Sequence, residues 1–266
     1  MHIQIRTITN DKNYQKFRVG VLSFCNKECA VDRIIIKSLY NQASDLANKI
    51  NTFSANYSGY KRDKNRLLVD CYIGILSEYA WKSFINMLSI NTIVVEEKNF
   101  LQENQIDLKI LGTDLSIEVR SSFVRNGIKF ALFNKNYKFD IIGPYVNAYK
   151  SKESLKNFYL RVLYHFDNRN LSLFFDQIFN SNRNNQFNVY LVGGATLEMM
   201  QNKNLYIEKT MQESELLGNA LNQDMAKTNY RVIPIFLGMD AVNIAKEIIK
   251  AGLQSNFLYK PKLQKY

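Results

Sequence analysis

The chain has 266 residues, of which 46% are hydrophobic and 22% are charged, and its mean hydropathy is −0.26. This balance is typical of a folded globular protein and excludes extended disorder. No uncharged apolar run reaches the 18 residues of a membrane span, and the polar start MHIQIRTITNDK lacks the apolar centre of a signal peptide. We therefore expect a cytoplasmic protein with no membrane partner.

The 35 Lys and Arg residues outnumber the 24 Asp and Glu residues, for a net charge of +11. This excess favours a polyanionic partner, because each phosphate that a protein neutralises releases condensed counterions. The three cysteines, Cys25, Cys29 and Cys71, lack the paired Cys or His residues of a structural zinc site. We expect them to be reduced thiols.

The predicted elements begin with two helices, Ala30–Asn51 and Leu67–Leu88, each with an apolar stripe at helical spacing. The apolar period then changes from helical to alternating. Short strands are predicted at Thr92–Glu96, Gln105–Leu111, Leu115–Phe123 and Ile128–Phe133, followed by a Gly143-Pro144 turn and an apolar run at Phe158–Phe166.

Helices and strands alternate in the rest of the chain. The predictions are a helix at Leu171–Asn180, a strand at Phe187–Gly193, helices at Thr196–Gln201, Met211–Met225 and Asp240–Ala251, and a strand at Tyr230–Phe236. This order predicts an α/β or α+β protein with a mixed sheet, and we expect the α/β class. Since no linker is visible, we expect one domain over 1–266, with a core at 66–210 and helical or loop elaborations at 1–65 and 211–266.

Two carboxylates occupy adjacent predicted strands in QIDLKILGTDLSIEVRSSF. A two-residue turn at Gly112-Thr113, with the glycine that a type II′ hairpin requires, places Asp107 directly opposite Glu118. Paired side chains have Cβ atoms about 4.5–5.5 Å apart on one face of a sheet. Two carboxylates at that distance repel each other, and a hard divalent cation such as Mg²⁺ relieves the repulsion.

The same predicted face carries two basic residues, Lys109 and Arg120. A cation beside a metal-bound carboxylate pair suits phosphodiester hydrolysis, since the metal activates water while the cation stabilises the developing negative charge. The alternative is a surface hairpin whose acids and bases form exposed ion pairs.

The order of these elements resembles the PD-(D/E)xK nuclease superfamily, to which most type II restriction endonucleases belong. The resemblance covers about residues 70–200 and includes Asp107 and the triplet Glu118-Val119-Arg120. It implies a restriction-endonuclease-like core, with a central mixed β-sheet flanked by helices, and a metal held by both carboxylates and the Val119 carbonyl. The segment GILSEYAWKSFIN is similar to the first helix of the family, whose Glu, here Glu78, often faces the site.

One departure from the family concerns its lysine, which is replaced by Arg120. Arginine stays protonated and does not easily exchange a proton with the attacking water. A type I′ turn at Asn126-Gly127 would place Lys135 opposite Glu118, which makes Lys135 the better substitute and Lys109 a third candidate. The alternatives are that Lys135 is a solvated loop residue and that Glu78 is an exposed helical one.

The resemblance implies a Mg²⁺-dependent type II restriction enzyme that cuts double-stranded DNA, with Arg120 facing the scissile phosphate. A homodimer suits the two-fold symmetry of DNA, and such a system includes a cognate DNA methyltransferase. The candidate DNA contacts are the loops YSGYKRDKNR, FNKNYKF and NSNRNNQF. Two alternatives stay open: an inactive nucleic-acid-binding protein of the same fold, and a repair or phage-type nuclease acting on branched or single-stranded DNA.

Overall fold

The computed structural model describes residues 1–49, 63–89, 95–97, 107–133, 139–146, 155–211 and 228–258. The strands in these ranges are β1 (His2–Thr9), β2 (Lys16–Phe24), β3 (Val95–Glu97), β4 (Leu108–Ile110), β5 (Ser116–Val124), β6 (Asp140–Val146), β7 (Phe158–His165), β8 (Phe187–Thr196), β9 (Ile207–Met211) and β10 (Thr228–Pro234). The α-helices are α1 (Ala30–Lys49), α2 (Lys64–Leu88), α3 (Ile128–Phe133), α4 (Phe174–Phe179), α5 (Leu197–Gln201) and α6 (Ala241–Leu258). Short 3-10 segments lie at Asn168–Leu173 and Ile235–Leu237.

The described strands form two sheets. The main sheet has the order β1-β2-β8-β7-β5-β4-β3, and the smaller one has the order β6-β10-β9. Neighbouring strands are antiparallel except β5 and β7, which are parallel. The expectation of an α/β protein with a mixed sheet flanked by helices is therefore confirmed.

Two apolar clusters cover opposite faces of the main sheet. One joins Ile117 and Val119 of β5 to α1, α2 and α6, with Trp81 of α2 fully buried. The other joins Val124 of β5 and Tyr159 of β7 to α3, α5 and the smaller sheet. Alternate residues of a strand point to opposite faces, so the parity of each position in β5 and β7 decides which cluster its side chain meets.

The two long helices near the N-terminus are confirmed, and sequence-local contacts explain where α2 begins. The carboxylate of Asp63 accepts a hydrogen bond of 2.8 Å from the backbone N–H of Arg66, the capping contact that satisfies a first-turn donor. Arg66 then pairs with Asp70 one turn later at 2.9 Å. The last two cations of the predicted loop YSGYKRDKNR, Lys64 and Arg66, therefore belong to α2. Residues 50–62 lie outside the described ranges.

Several sequence predictions are wrong. Ile128–Phe133 is helix α3 rather than a strand, and the Gly143-Pro144 pair lies within strand β6 rather than in a turn. In place of the helix predicted at Leu171–Asn180, a 3-10 segment leads into the shorter α4. Met211 ends strand β9, and the rest of the helix predicted there, 212–225, lies outside the described residues.

The first 24 residues also differ from the expected helical or loop elaboration. Strands β1 and β2 form an antiparallel hairpin, and β2 continues the main sheet by pairing with β8. Residues Val19, Val21 and Leu22 of β2 are fully buried. No helix among the described residues is long and apolar enough to cross a membrane.

The hairpin that carries the two carboxylates has a longer turn than the sequence predicts. The backbone N–H of Ile110 donates to the Leu115 carbonyl at 3.1 Å, and that of Thr113 donates to the Ile110 carbonyl at 3.2 Å. Gly112, with φ +76°, occupies the position at which a type II turn requires positive φ. The loop thus has four residues, Leu111–Asp114, instead of two.

The predicted register of this hairpin is nevertheless confirmed. Leu108 pairs with Ile117, as the two-residue turn would also require, because lengthening a loop by one residue on each side keeps the same partners opposite. Extending this register by one residue beyond Leu108 brings Asp107 opposite Glu118.

Candidate functional site

The two carboxylates are brought together at the start of β4. Asp107 directly precedes this strand, and its Oδ2 accepts a hydrogen bond of 2.7 Å from the backbone N–H of Val119. Glu118, the residue before Val119 in β5, is 7% exposed. The hairpin therefore holds one acidic side chain by a backbone contact and buries the other beside it.

The pKa of Asp107 shows that this arrangement disfavours the ionised form of its carboxylate. Although the residue as a whole is partly exposed, the surroundings of its carboxylate raise its pKa from 3.8 to about 7. Desolvation is the largest cause and the negative charge of Glu118 the next, while Arg120, the Val119 N–H and Lys156 act in the opposite direction. A further cation at this position would favour the ionised form of Asp107.

Arg120 already supplies one cation to the pair. Its Nη2 lies 2.5 Å from Oε1 of Glu118, and its side chain is 37% exposed against 9% for the side chain of Glu118. Its guanidinium also lies over the ring of Tyr145, with Cζ 5.5 Å from the ring centroid. The exposure shows that the site opens toward solvent on the side of Arg120.

A second arginine, Arg161, lies beside Arg120. The two residues are paired in the parallel register of β5 and β7, and Nη2 of Arg161 donates to Oγ of Ser122 at 2.7 Å. Arg161 is 3% exposed, and its Nε and Nη1 have no hydrogen-bond partner among the described residues. Its pKa is lowered to about 10, mainly by burial, with the charge of Asp140 opposing this and that of Arg120 adding to it.

Lys156 is a basic residue of the site that the sequence analysis missed. It lies just before β7 and is 4% exposed, and its backbone N–H donates to the hydroxyl of Tyr159 at 2.9 Å. Its positive charge lowers the pKa of Asp107. A lysine directly before a long apolar run was visible in the sequence, but its proximity depends on the parallel pairing of β7 with β5, which the sequence did not predict.

The structure does not place Lys135 opposite Glu118. The predicted hairpin is absent because α3 follows β5, and the neighbour of Glu118 on the next strand is Tyr159 of β7. Lys135 itself lies outside the described residues. Lys109 lies in β4, 3.4 Å from the carboxylate of Asp114 at the turn.

Glu78 is brought to the other face of the main sheet. It is 6% exposed on α2, which packs on the cluster containing Val119, whereas the parity of β5 points Glu118 to the opposite face. The pKa of Tyr164 is raised by burial and, to a smaller extent, by the charge of Glu78. Glu78 is thus buried rather than exposed, and it does not join the carboxylate pair.

The donor chemistry of the pair fits a hard divalent cation. Within the described residues there is no group of three or more His, Cys, Asp and Glu positioned for a metal. The two neighbouring acids of this site are Asp107 and Glu118. Mg²⁺ commonly binds through one or two carboxylates and retains waters or substrate phosphate oxygens for the remaining positions. The pKa of Asp107 is raised first by desolvation and then by the negative charge of Glu118, and a bound cation would oppose both effects. Val119 contributes its N–H to Asp107, and the resemblance assigns its carbonyl to the metal.

Of the three loops predicted to contact DNA, NSNRNNQF is described. It leads into β8 and lines a polar cavity of about 180 Å³ whose walls include His165, Gln177, Asn185, Gln186, Asn188 and Tyr190. His165 ends β7, six residues beyond Tyr159, which is about 20 Å at the rise of a strand. This cavity is therefore separate from the carboxylate pair.

Comparison with known proteins adds one relative. The chain is 29% identical over 195 residues to the uncharacterized protein MJECS01 of Methanocaldococcus jannaschii, a similarity that covers 63% of this chain and 69% of that protein. No protein-family model and no solved structure matches the chain. The similarity carries no activity with it, so the functional argument depends on the site itself.

Proposed function

We propose that this protein is a metal-dependent DNA endonuclease of the restriction-endonuclease-like type, which cuts double-stranded DNA at a specific sequence. The observation that carries the proposal is the pairing of Asp107 with Glu118, in which the pKa of Asp107 is raised to about 7 by burial and by its neighbour. Neighbouring buried carboxylates disfavour each other's ionisation, and ionisable groups perturbed in this way cluster at functional sites. Basic side chains around the pair extend its chemistry from metal binding to phosphate chemistry.

Each charged group has a role in this proposal. Asp107 and Glu118 would hold Mg²⁺, which supplies Lewis-acid polarisation of the phosphate and an acidified water. Arg120, at the open side of the site, contacts the scissile phosphate and stabilises the charge that develops on it. Lys156 takes the place of the family lysine, because it is a buried amine whose charge acts on Asp107 and, unlike arginine, can exchange a proton.

Two broader features support the same function. The mixed sheet flanked by helices is compatible with the restriction-endonuclease-like core that the sequence resembles. The net charge of +11 favours a polyanionic substrate. A homodimer acting with a cognate DNA methyltransferase is part of this proposal.

The test is cleavage of supercoiled plasmid by the purified protein in 10 mM Mg²⁺ and in EDTA, compared with Asp107→Asn and Glu118→Gln variants. We expect discrete fragments that depend on the metal and a loss of at least about 100-fold in rate for either variant. The matched control is Asp114→Asn, an acid in the same hairpin whose side chain is fully exposed. Its rate should remain within twofold of the parent.

Three outcomes separate this function from its alternatives. Diffuse degradation of plasmid, or cutting limited to single-stranded and branched DNA, would favour a repair or phage-type nuclease. A gel shift without cutting would favour a nucleic-acid-binding protein that uses the fold without catalysis. Cutting by Asp107→Asn at the parental rate would refute the assignment of the site.

A further inference from the structure

Two tyrosines lie at the open side of the carboxylate site. Tyr145 of β6 and Tyr230 of β10 are directly paired across these strands, and their ring centroids are 5.3 Å apart with the ring planes inclined by 34°. Tyr145 also lies beneath the guanidinium of Arg120 at 5.5 Å. Tyr230, Tyr145 and Arg120 are thus three successive planar neighbours, here called the aromatic row. Arg120, the member nearest the carboxylates, pairs with Glu118.

The exposure of this row distinguishes it from the aromatic core. Trp81, Tyr72 and Phe174 are fully buried in the large cluster, whereas both tyrosines of the row keep partial exposure. Their strand neighbours Val146 and Asn229 are exposed. The rings are therefore fixed in place by strand pairing and still present surface to a ligand.

We propose that the aromatic row binds a nucleobase that is unstacked from its neighbours, at a nucleotide adjoining the scissile phosphate. Aromatic rings and guanidinium planes are the two side-chain surfaces on which bases stack, and the interaction tolerates any sequence. Arg120 links the two functions, since one guanidinium lies over Tyr145 and pairs with Glu118. This inference rests on the proposed function and adds to it a substrate feature, an unpaired base at the cutting position.

An unstacked base has two sources. It belongs to single-stranded DNA, or it is flipped out of a duplex at a cost of a few kcal/mol. Both present the same planar surface to the aromatic row, so the stacking chemistry is shared. The two sources differ in which oligonucleotide depends on the row.

The test measures binding in EDTA, where cutting does not interfere, by fluorescence anisotropy of a 20-nucleotide single strand and the matching duplex. Each carries 2-aminopurine, whose fluorescence changes when it stacks on a ring. We expect Tyr145→Leu to weaken binding of at least one oligonucleotide by about tenfold, the range that loss of one base–aromatic stack gives. Tyr145→Phe, which keeps the ring, should bind within twofold of the parent.

Tyr206→Leu is the matched control, because Tyr206 lies against Arg231 at 4.4 Å in a second arginine–tyrosine contact, which includes no member of the aromatic row. It should leave both affinities unchanged. Weakening confined to the single strand identifies that source, and weakening of the duplex together with a 2-aminopurine signal identifies base flipping. Equal affinities of Tyr145→Leu and the parent for both oligonucleotides, with thermal melting confirming the fold, would overturn the inference.

Failure of the proposed function gives a different pattern. If the parent protein does not cut DNA with Mg²⁺ but Tyr145→Leu still weakens binding, the nuclease assignment is wrong and the base site stands. If the parent cuts DNA and Tyr145→Leu binds both oligonucleotides as tightly as the parent does, the nuclease assignment stands and the base site is wrong.

Discussion

The carboxylate of Asp107 accepts a 2.7 Å hydrogen bond from the backbone N–H of Val119, the residue between Glu118 and Arg120. This contact ties an acid that lies outside β4 to the strand that carries the other charges of the site. A backbone donor does not swing away as a side chain does, so the separation of the two carboxylates is fixed by the hairpin. The charge of the site is therefore controlled by the register of β4 and β5.

The first prediction concerns how stability depends on pH. The pKa of Asp107 is about 7 in the folded protein and 3.8 in its ordinary state, so the folded state binds this proton more tightly than the unfolded chain does. The stability that this proton contributes is complete below about pH 4 and is lost as the pH rises through 7. Without metal, we expect the free energy of unfolding to decline across this window by up to about 1.4 kcal/mol per pH unit.

Urea unfolding from pH 4 to pH 8 in EDTA measures this effect when the parent is compared with Asp107→Asn. The amide does not titrate, so the variant lacks the stabilisation that the bound proton gives the parent at low pH. The free energy of unfolding of the parent should therefore exceed that of the variant by more at pH 4 than at pH 8. Adding Mg²⁺ should stabilise the parent mainly above pH 6, because the ion competes with the proton for the carboxylate. A difference between parent and variant that stays constant over the whole range would contradict the assigned pKa.

The second prediction concerns the ion pair of Arg120 with Glu118. The guanidinium lies 2.5 Å from one oxygen of the Glu118 carboxylate, so a divalent ion that binds there as proposed would have to displace it. Arg120→Gln should therefore bind Mn²⁺ more tightly, by about three- to tenfold, since a partly exposed pair is screened by solvent. Titration with Mn²⁺ followed by electron paramagnetic resonance measures the affinity directly.

A charge-matched comparison separates this displacement from a general loss of positive charge. Lys109→Gln removes a cation from the same face of the hairpin, but Lys109 is engaged by Asp114 at the turn. Its effect on Mn²⁺ affinity should be smaller than twofold. If both variants tighten binding equally, then Arg120 acts only through its long-range charge.

The sequence predicted the carboxylate pair because the information for it is local. Gly112 and the alternation of apolar residues specify a hairpin between adjacent strands, and the register survives even though the loop has four residues rather than two. By contrast, the segment Ile128–Phe133 is too short for the spacing of its apolar residues to distinguish a helix from a strand. Its buried residues, Ile128, Ala131 and Leu132, have the spacing of a helix face.

The rest of the site depends on contacts that are remote in sequence. Lys156 comes near Asp107, and Arg161 near Arg120, because β7 pairs in parallel with β5 after a connection of more than 30 residues. No local pattern specifies such a pairing. Tyr145 lies in strand β6 of the smaller sheet, where the Gly143-Pro144 pair predicted a turn. Glu78 was assigned to the site by resemblance, and the sheet itself separates it from Glu118.

The third prediction concerns Lys156. Lys156→Met keeps the aliphatic length of a side chain that is 4% exposed and removes its amine. If this amine exchanges a proton with the attacking water, the single-turnover rate of plasmid cleavage should fall by about 100-fold or more. Mn²⁺ affinity should not weaken, because the lost charge opposes a cation at Asp107.

Lys156→Arg gives the decisive comparison for this role. It keeps the positive charge but replaces the amine with a guanidinium, which does not release its proton in proteins. A structural or purely electrostatic role predicts near-parental cleavage by the arginine variant, and proton exchange predicts a rate close to that of Lys156→Met. Thermal melting of both variants establishes that they are folded.

The last prediction compares two glycines, Gly193 at a tightly packed position beside β7 and Gly74 at an open position in a helix. Gly193 of β8 has φ +122° and faces Arg161, and a Cβ there would overlap the carbonyl oxygen of Met239. Gly193→Ala should therefore destabilise the protein by about 2 kcal/mol or more. Gly74, within helix α2, has no atom within 4 Å of the position of a Cβ, so Gly74→Ala should stabilise by about 1 kcal/mol. Differential scanning calorimetry should show melting temperatures that move in opposite directions, and a lower value for Gly74→Ala would mean that the helix surface there is in contact with something that the alanine disturbs.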